Sequence, residues 1–96
     1  MISTIEIEKR LQVLKPVLAD RFHVSKIGYF GSYSTGRQTE QSDIDLLVEL
    51  EKPIGWKFFS LELYLEKIFN RKIDLVTRNA LKEQIKDRIL KQIKYA

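Results

Sequence analysis

The chain has 96 residues, 44% of them hydrophobic and 31% charged, with a net charge of +4 and no cysteine. That supports one globular domain with one core, residues 1–96, and is too short for a catalytic domain plus a separate substrate domain. A disulfide framework and a thiolate metal site are excluded, and the only histidine, His23, excludes a His-rich zinc site and a triad that needs a second histidine.

Taken in order, Ser3 to Ala19 reads as a helix. Ser3 and Glu6 fit a capping box, and Ile7, Leu11, Leu14 and Leu18 mark one buried face. Pro16 is expected to kink or loosen its last turns. Val24 to Phe30 reads as a strand ended by Gly31, with His23 before it as a surface or capping residue. Ser32 to Arg37 forms a short helix or turn broken by Gly36, and Gln38 to Ser42 is a polar loop. Asp43 to Leu50 is a second strand, its near-continuous apolar run pointing to cover on both faces.

Gly55 to Asn70 is a second long helix whose apolar side comes from Trp56, Phe59, Leu63, Leu65, Ile68 and Phe69. Those aromatics read as core or, alternatively, as part of a docking surface. Lys72 to Thr77 is a third strand containing Asp74. Asn79 would cap a last helix from Ala80 to about Lys94, with a stripe of Leu81, Ile85, Ile89 and Ile93. From Lys82 onward five basic residues face two acidic ones, which reads as a solvated face or as a dock for an acidic partner. The order α-β-(short α)-β-α-β-α predicts an α/β (α+β) fold, a small mixed sheet flanked by about four helices. No apolar run reaches the roughly 20 residues that span a bilayer, and the N-terminus lacks a signal-peptide layout, so a cytoplasmic location is expected and no membrane contact.

The chemistry-bearing residues fall in Gly31 to Leu50 and at Asp74. In a strand, Asp43 and Asp45 point to one face, about 6.5–7 Å apart at Cα. Such a pair can share divalent ions and repels itself without them, although acidic residues at strand ends are often merely solvated. Asp74 lies between apolar residues in a strand expected to be largely buried, so it requires a partner: Arg71, Lys72 or Arg78, or a shared metal. Hard oxygen ligands converging at strand ends suit Mg²⁺, which keeps substrate phosphates in its shell. Gly31 allows close backbone approach to a phosphate and Ser32 adds a hydroxyl, though the pair alone is a very weak signal that a plain turn explains.

In combination, Gly31-Ser32, a ten-residue spacer and Asp43-Ile44-Asp45 resemble the signature of the DNA polymerase β superfamily of nucleotidyltransferases. Across nearly its whole length the chain resembles the minimal nucleotidyltransferases of prokaryotes, through GYFGSYSTG, SDIDLLVEL, the KPIGW turn and KIDLVT. The resemblance implies that Asp43, Asp45 and Asp74 are catalytic and hold two Mg²⁺ ions, with Asp74 helping to activate the attacking hydroxyl. It implies that Gly31 and Ser32 bind the phosphates of ATP. Many members carry a basic residue just before the second glycine. Here Thr35 stands there and Arg37 follows Gly36, so Arg37 either reaches the triphosphate or is a solvated loop residue.

Two-metal nucleotidyl transfer asks of a protein little beyond positioning and charge neutralisation, which a chain with one histidine and no cysteine can supply. The length leaves no room for an acceptor-binding domain, so the acceptor is expected to be small or to be delivered by another protein. The resemblance names that partner as a HEPN-domain RNase toxin, neutralised by transfer of AMP from ATP to one of its tyrosines. The chain is then a protein adenylyltransferase and antitoxin in a hetero-oligomer, and direct nucleic-acid binding is not expected. Two alternatives are a non-catalytic antitoxin that occludes its partner, and nucleotidyl transfer to a small molecule.

Overall fold

A computed structural model describes residues 2–96. Helix α1 runs Thr4–Phe22 and is capped by Ser3, whose hydroxyl accepts the Glu6 N–H at 3.1 Å. Glu6 turns to Arg10, at 3.5 Å. The helix passes Pro16 and continues beyond Ala19, where the sequence predicts its end. Proline withdraws one donor, and the carbonyl left over, that of Gln12, belongs to an exposed residue where water can serve it. His23 closes the helix in the left-handed conformation (φ 58), its N–H donating to the Ala19 carbonyl at 3.2 Å.

Strand β1 is Val24–Phe30, the short helix α2 is Ser32–Thr35, strand β2 is Ile44–Leu50 and helix α3 is Lys57–Phe69. Strand β3, Ile73–Thr77, leads through a 3₁₀ turn at Arg78–Ala80 to helix α4, Glu83–Gln92, and strand β4, Lys94–Tyr95. The sheet order is β3-β2-β1-β4; β2 and β3 are parallel, and β1 is antiparallel to both β2 and β4. A register irregularity between Val24 and Lys26 shifts the side-chain phase, so that Val24, Ile27 and Tyr29 all join one core. There they meet Ile7, Leu11, Leu14, Leu18 and Phe22 of α1, Leu61, Leu65 and Phe69 of α3, and Ile44, Leu46, Val48, Ile73 and Leu75 of the strands. Each buried aliphatic side chain contributes roughly 1.5–3 kcal/mol relative to exposure. Leu47 and Phe30, which point the opposite way, are buried as well, so the central strands are covered on both faces as the apolar run of β2 predicts.

The helices of the second half of the chain depart from expectation at three places. Trp56 precedes α3, and Trp56, Phe59 and Leu63 are 85%, 57% and 61% exposed, because the helix turns Leu61 inward together with the expected Leu65 and Phe69. Asn79 sits within the 3₁₀ turn, and the last helix begins only after Lys82, which makes no side-chain capping bond. The last helix also stops at Gln92, because the chain straightens to pair Lys94 and Tyr95 with Tyr29 and Gly28. Gly28 makes that pairing possible: a Cβ there would lie 2.8 Å from the Lys94 carbonyl oxygen and 3.0 Å from Ile93 Cγ1. Gly28→Val is therefore expected to push β4 and the end of α4 off the sheet. Urea unfolding should show a loss of roughly 1–3 kcal/mol, the usual cost of overpacking.

Candidate active site

Asp45 is the second residue of β2 and Asp74 the second of β3, and the parallel register sets them directly beside one another. Adjacent strands lie about 4.8 Å apart, so two carboxylates share one small region of sheet. Asp74 is exposed, contrary to the expectation that its strand buries it. β3 is the edge strand and its burial alternates: Ile73 and Leu75 face the core, and Asp74 faces away. None of the three basic residues named as candidate partners pairs with it. Arg71 donates to the carbonyls of Glu40 and Ser42 at 2.7 and 3.2 Å, Lys72 lies 4.0 Å from Asp43, and Arg78 lies 3.8 Å from Glu49. The neighbour of Asp74 is Asp45.

That arrangement shows in the proton affinity of Asp45, whose pKa is pushed up from the ordinary 3.8 to about 6. Burial is the largest cause, followed by the charges of Asp74 and Asp43. Asp43 is exposed and falls one residue before β2, rather than inside it as expected. Its contact with Lys72 is long and solvated, and worth little. Among the described residues no three carboxylate, thiolate or imidazole groups converge closely enough to form a ready metal site. The chemistry of the pair nonetheless fits a hard divalent cation: Asp45 and Asp74 are oxygen donors, and their mutual repulsion is what such an ion relieves.

Gly31 closes the site from the β1 side. Phe30 pairs with Asp45, which brings the next residue against the carboxylate. A Cβ on Gly31 would lie 2.2 Å from Asp45 Oδ2, and φ 70 with ψ −143 is a conformation that side chains rarely adopt. Its carbonyl accepts the N–H groups of Ser34 and Thr35, both at 3.1 Å, and so starts α2 with Ser32 as its first residue. The loop before Asp43 is a folded turn. Thr39 N–H donates to Ser42 Oγ at 2.8 Å, and Ser42 N–H to the Thr39 carbonyl at 3.1 Å. Arg71 ties that turn to the end of α3 through its two carbonyl bonds. Arg37 is exposed. One contact carried no sequence signal: Gln92, at the end of α4, accepts the Gly31 N–H on Oε1 at 2.8 Å. Only the fold, sixty-one residues away in sequence, brings it there.

Comparisons with known proteins bear on the family and the fold. The family profile described as nucleotidyltransferase domain matches residues 11–96. Protein adenylyltransferase MntA of Thermococcus cleftensis is 42% identical over 96 residues, covering 99% of this chain and 97% of that protein. A crystal structure of a toxin–antitoxin with AMP-PNP superposes with a TM-score of 0.73 at 26% identity, over 88% of this chain and 69% of that one. A solved structure assigned as a minimal nucleotidyltransferase shares the fold, with a TM-score of 0.82 at 24% identity over 97% and 95% of the two chains.

The raised pKa of Asp45 has a stability consequence of definite sign. A group whose folded pKa lies above its unfolded value stabilises the fold fully below the unfolded value, here 3.8, and loses that contribution as pH rises through about 6. Without metal the chain should therefore lose stability between pH 4 and pH 7. Asp45→Asn should flatten that slope and gain roughly 1–2 kcal/mol at pH 7, after allowance for partial exposure, in thermal or urea unfolding across that range.

Proposed function

The chain belongs to the nucleotidyltransferase domain family, and from that premise we propose that it is a Mg²⁺-dependent protein adenylyltransferase. It acts as the antitoxin of a HEPN RNase toxin, moving AMP from ATP to a tyrosine hydroxyl of that partner. The observation that carries the proposal is the Asp45–Asp74 pair set side by side against the Gly31 turn. A relative of 42% identity named as a protein adenylyltransferase supports the activity. A structural neighbour solved as a toxin–antitoxin with AMP-PNP supports the donor and the kind of partner.

The residues divide the work. Asp45 and Asp74, with Asp43 at the mouth of β2, would hold Mg²⁺, which when bound neutralises the triphosphate and the charge that develops during transfer. The Gly31 turn and the Ser32 hydroxyl grip the outer phosphates and orient the α-phosphorus toward the incoming acceptor. Asp74, open to solvent on the edge strand, receives the proton of the tyrosine hydroxyl as its oxygen replaces pyrophosphate on that phosphorus. Arg37, exposed beyond α2, supports the triphosphate from the loop side. The described residues contain no helix long and apolar enough to cross a membrane, and the protein works in the cytoplasm as one catalytic domain.

The docking surface we assign to the partner is the stripe of Trp56, Phe59 and Leu63, all exposed, with the Trp56 and Phe59 rings 5.7 Å apart. Beside Leu63 a cleft of about 680 Å³ is lined by Arg21, Phe22, Lys57 and Tyr64. Large aromatics grouped on a surface are the residue types that anchor interfaces. The same stripe favours a second mode, neutralisation by occlusion without chemistry.

Intact-mass measurement with ATP and Mg²⁺ separates the two. The partner should gain one or more AMP-sized increments, and Asp43→Asn or Asp45→Asn should cut the rate by at least about a hundredfold. A double Asp43→Asn, Asp45→Asn protein that still silences the toxin fully would show that occlusion suffices. Trp56→Ala should weaken partner binding by about 2 kcal/mol in calorimetric titration and leave Mg²⁺–ATP binding unchanged.

A further inference from the structure

Gln92 is the last residue of α4, and its side chain reaches back to the turn between β1 and α2. Oε1 accepts the Gly31 N–H at 2.8 Å, and the Ser34 hydroxyl lies 3.4 Å from the same atom. A backbone N–H aimed at that atom fixes it as the amide's oxygen. The other side of Gly31 is held too, since its carbonyl accepts the N–H groups of Ser34 and Thr35 and the Ser34 hydroxyl, the last at 3.0 Å. Both peptide groups that flank Gly31 therefore have partners, one supplied by α2 and the other by the far end of the chain. Between them the residue keeps a backbone conformation that presses it against Asp45 Oδ2, leaving no space for a Cβ.

We propose that Gln92 is a positioning residue for nucleotide binding: it fixes the Gly31 peptide so that the turn meets the triphosphate in one orientation beside Asp45. This rests on the assignment of Gly31 and Ser32 to the phosphates. Without Gln92 the Gly31 N–H has to find another partner, and the peptide plane between Phe30 and Gly31 becomes free to rotate. Each rotation moves the turn away from Asp45 and spoils phosphate and carboxylate geometry together. The rest of α4 holds its end only loosely: among the described residues the helix has no fully buried side chain. Gln92 is thus a specific tether between the C-terminal segment and the nucleotide turn.

The test replaces Gln92 by Leu, which keeps size and removes the acceptor. Gln84→Leu on the same helix, at an exposed position, is the control for general helix effects. Binding of Mg²⁺–AMP-PNP is measured by calorimetry. KM for ATP and kcat for transfer to the partner are measured separately, and the Gly31 amide is followed by NMR hydrogen exchange. Gln92→Leu is expected to raise the AMP-PNP Kd and the ATP KM about five- to tenfold, to leave kcat within about twofold, and to speed exchange at Gly31; Gln84→Leu should change none of these. Wild-type affinity in Gln92→Leu, or an equal loss in both variants, overturns the role of Gln92 alone. Failure of the unmodified chain to bind Mg²⁺–AMP-PNP overturns the phosphate assignment and the proposal with it.

Discussion

Two like charges held side by side are what this molecule has to accommodate. The parallel pairing of β2 with β3 puts Asp45 next to Asp74, and among the described residues no salt bridge reaches either carboxylate. Left to themselves the carboxylates would favour a slipped or parted register. The opposite face of the same two strands prevents it. Ile44 pairs with Ile73 and Leu46 with Leu75, and all four are buried. A slip of one residue would bring the aspartates into the core and the aliphatic pairs into water, a change far more costly than the repulsion. Core burial therefore fixes the site, and the unrelieved repulsion is stored at the sheet edge as an affinity for cations.

The phosphate side of the site follows from the same strand. Phe30 pairs with Asp45, so the chain must turn immediately afterwards in the space left by a carboxylate, and only glycine fits. The site is thus closed on one side by backbone, which cannot adopt other rotamers and can approach a phosphate closely. The C-terminal segment adds to this frame by short, separate contacts. Gln92 holds Gly31, β4 pairs with β1 across Gly28, the Ala96 N–H donates to the Ile27 carbonyl at 2.9 Å, and Lys15 donates to the Ala96 carbonyl at 3.0 Å. Each contact involves β1 or the turn that follows it, except the last, which brings in α1.

The sequence makes some of this visible and hides the rest for identifiable reasons. β1 and the body of β2 were legible because apolar runs and breakers are local signals, and the element order follows from them. The exposure of Asp74 was not. A run of Ile73, Asp74, Leu75 and Val76 looks buried in one dimension, whereas an edge strand buries one face and leaves the other to solvent. α3 presented the same difficulty at helical period. It carries two apolar stripes, Leu61-Leu65-Phe69 and Trp56-Phe59-Leu63, and spacing alone does not say which one meets the core. β4 is two residues long and exists because a distant glycine leaves space for it. Gln92 is a glutamine on a polar helix, made specific only by where α4 ends.

The second stripe on α3 bears on how the chain would choose its acceptor. The half-buried Asp45 and Gly31 lie beside an exposed sheet edge that carries Asp74, and the cleft beside Leu63 belongs to α1 and α3 instead. A site walled on one side only discriminates poorly among hydroxyl groups, because discrimination needs buried polar groups that a wrong substrate leaves unpaired. Selection then has to come from a second surface. Trp56, Phe59 and Leu63 offer that surface on a helix whose other stripe is locked into the core, so a partner seated there is held against a rigid body. Docking would raise the effective concentration of one particular hydroxyl at the open sheet edge, and two short elements of this chain would together do what a separate acceptor domain does in a larger transferase.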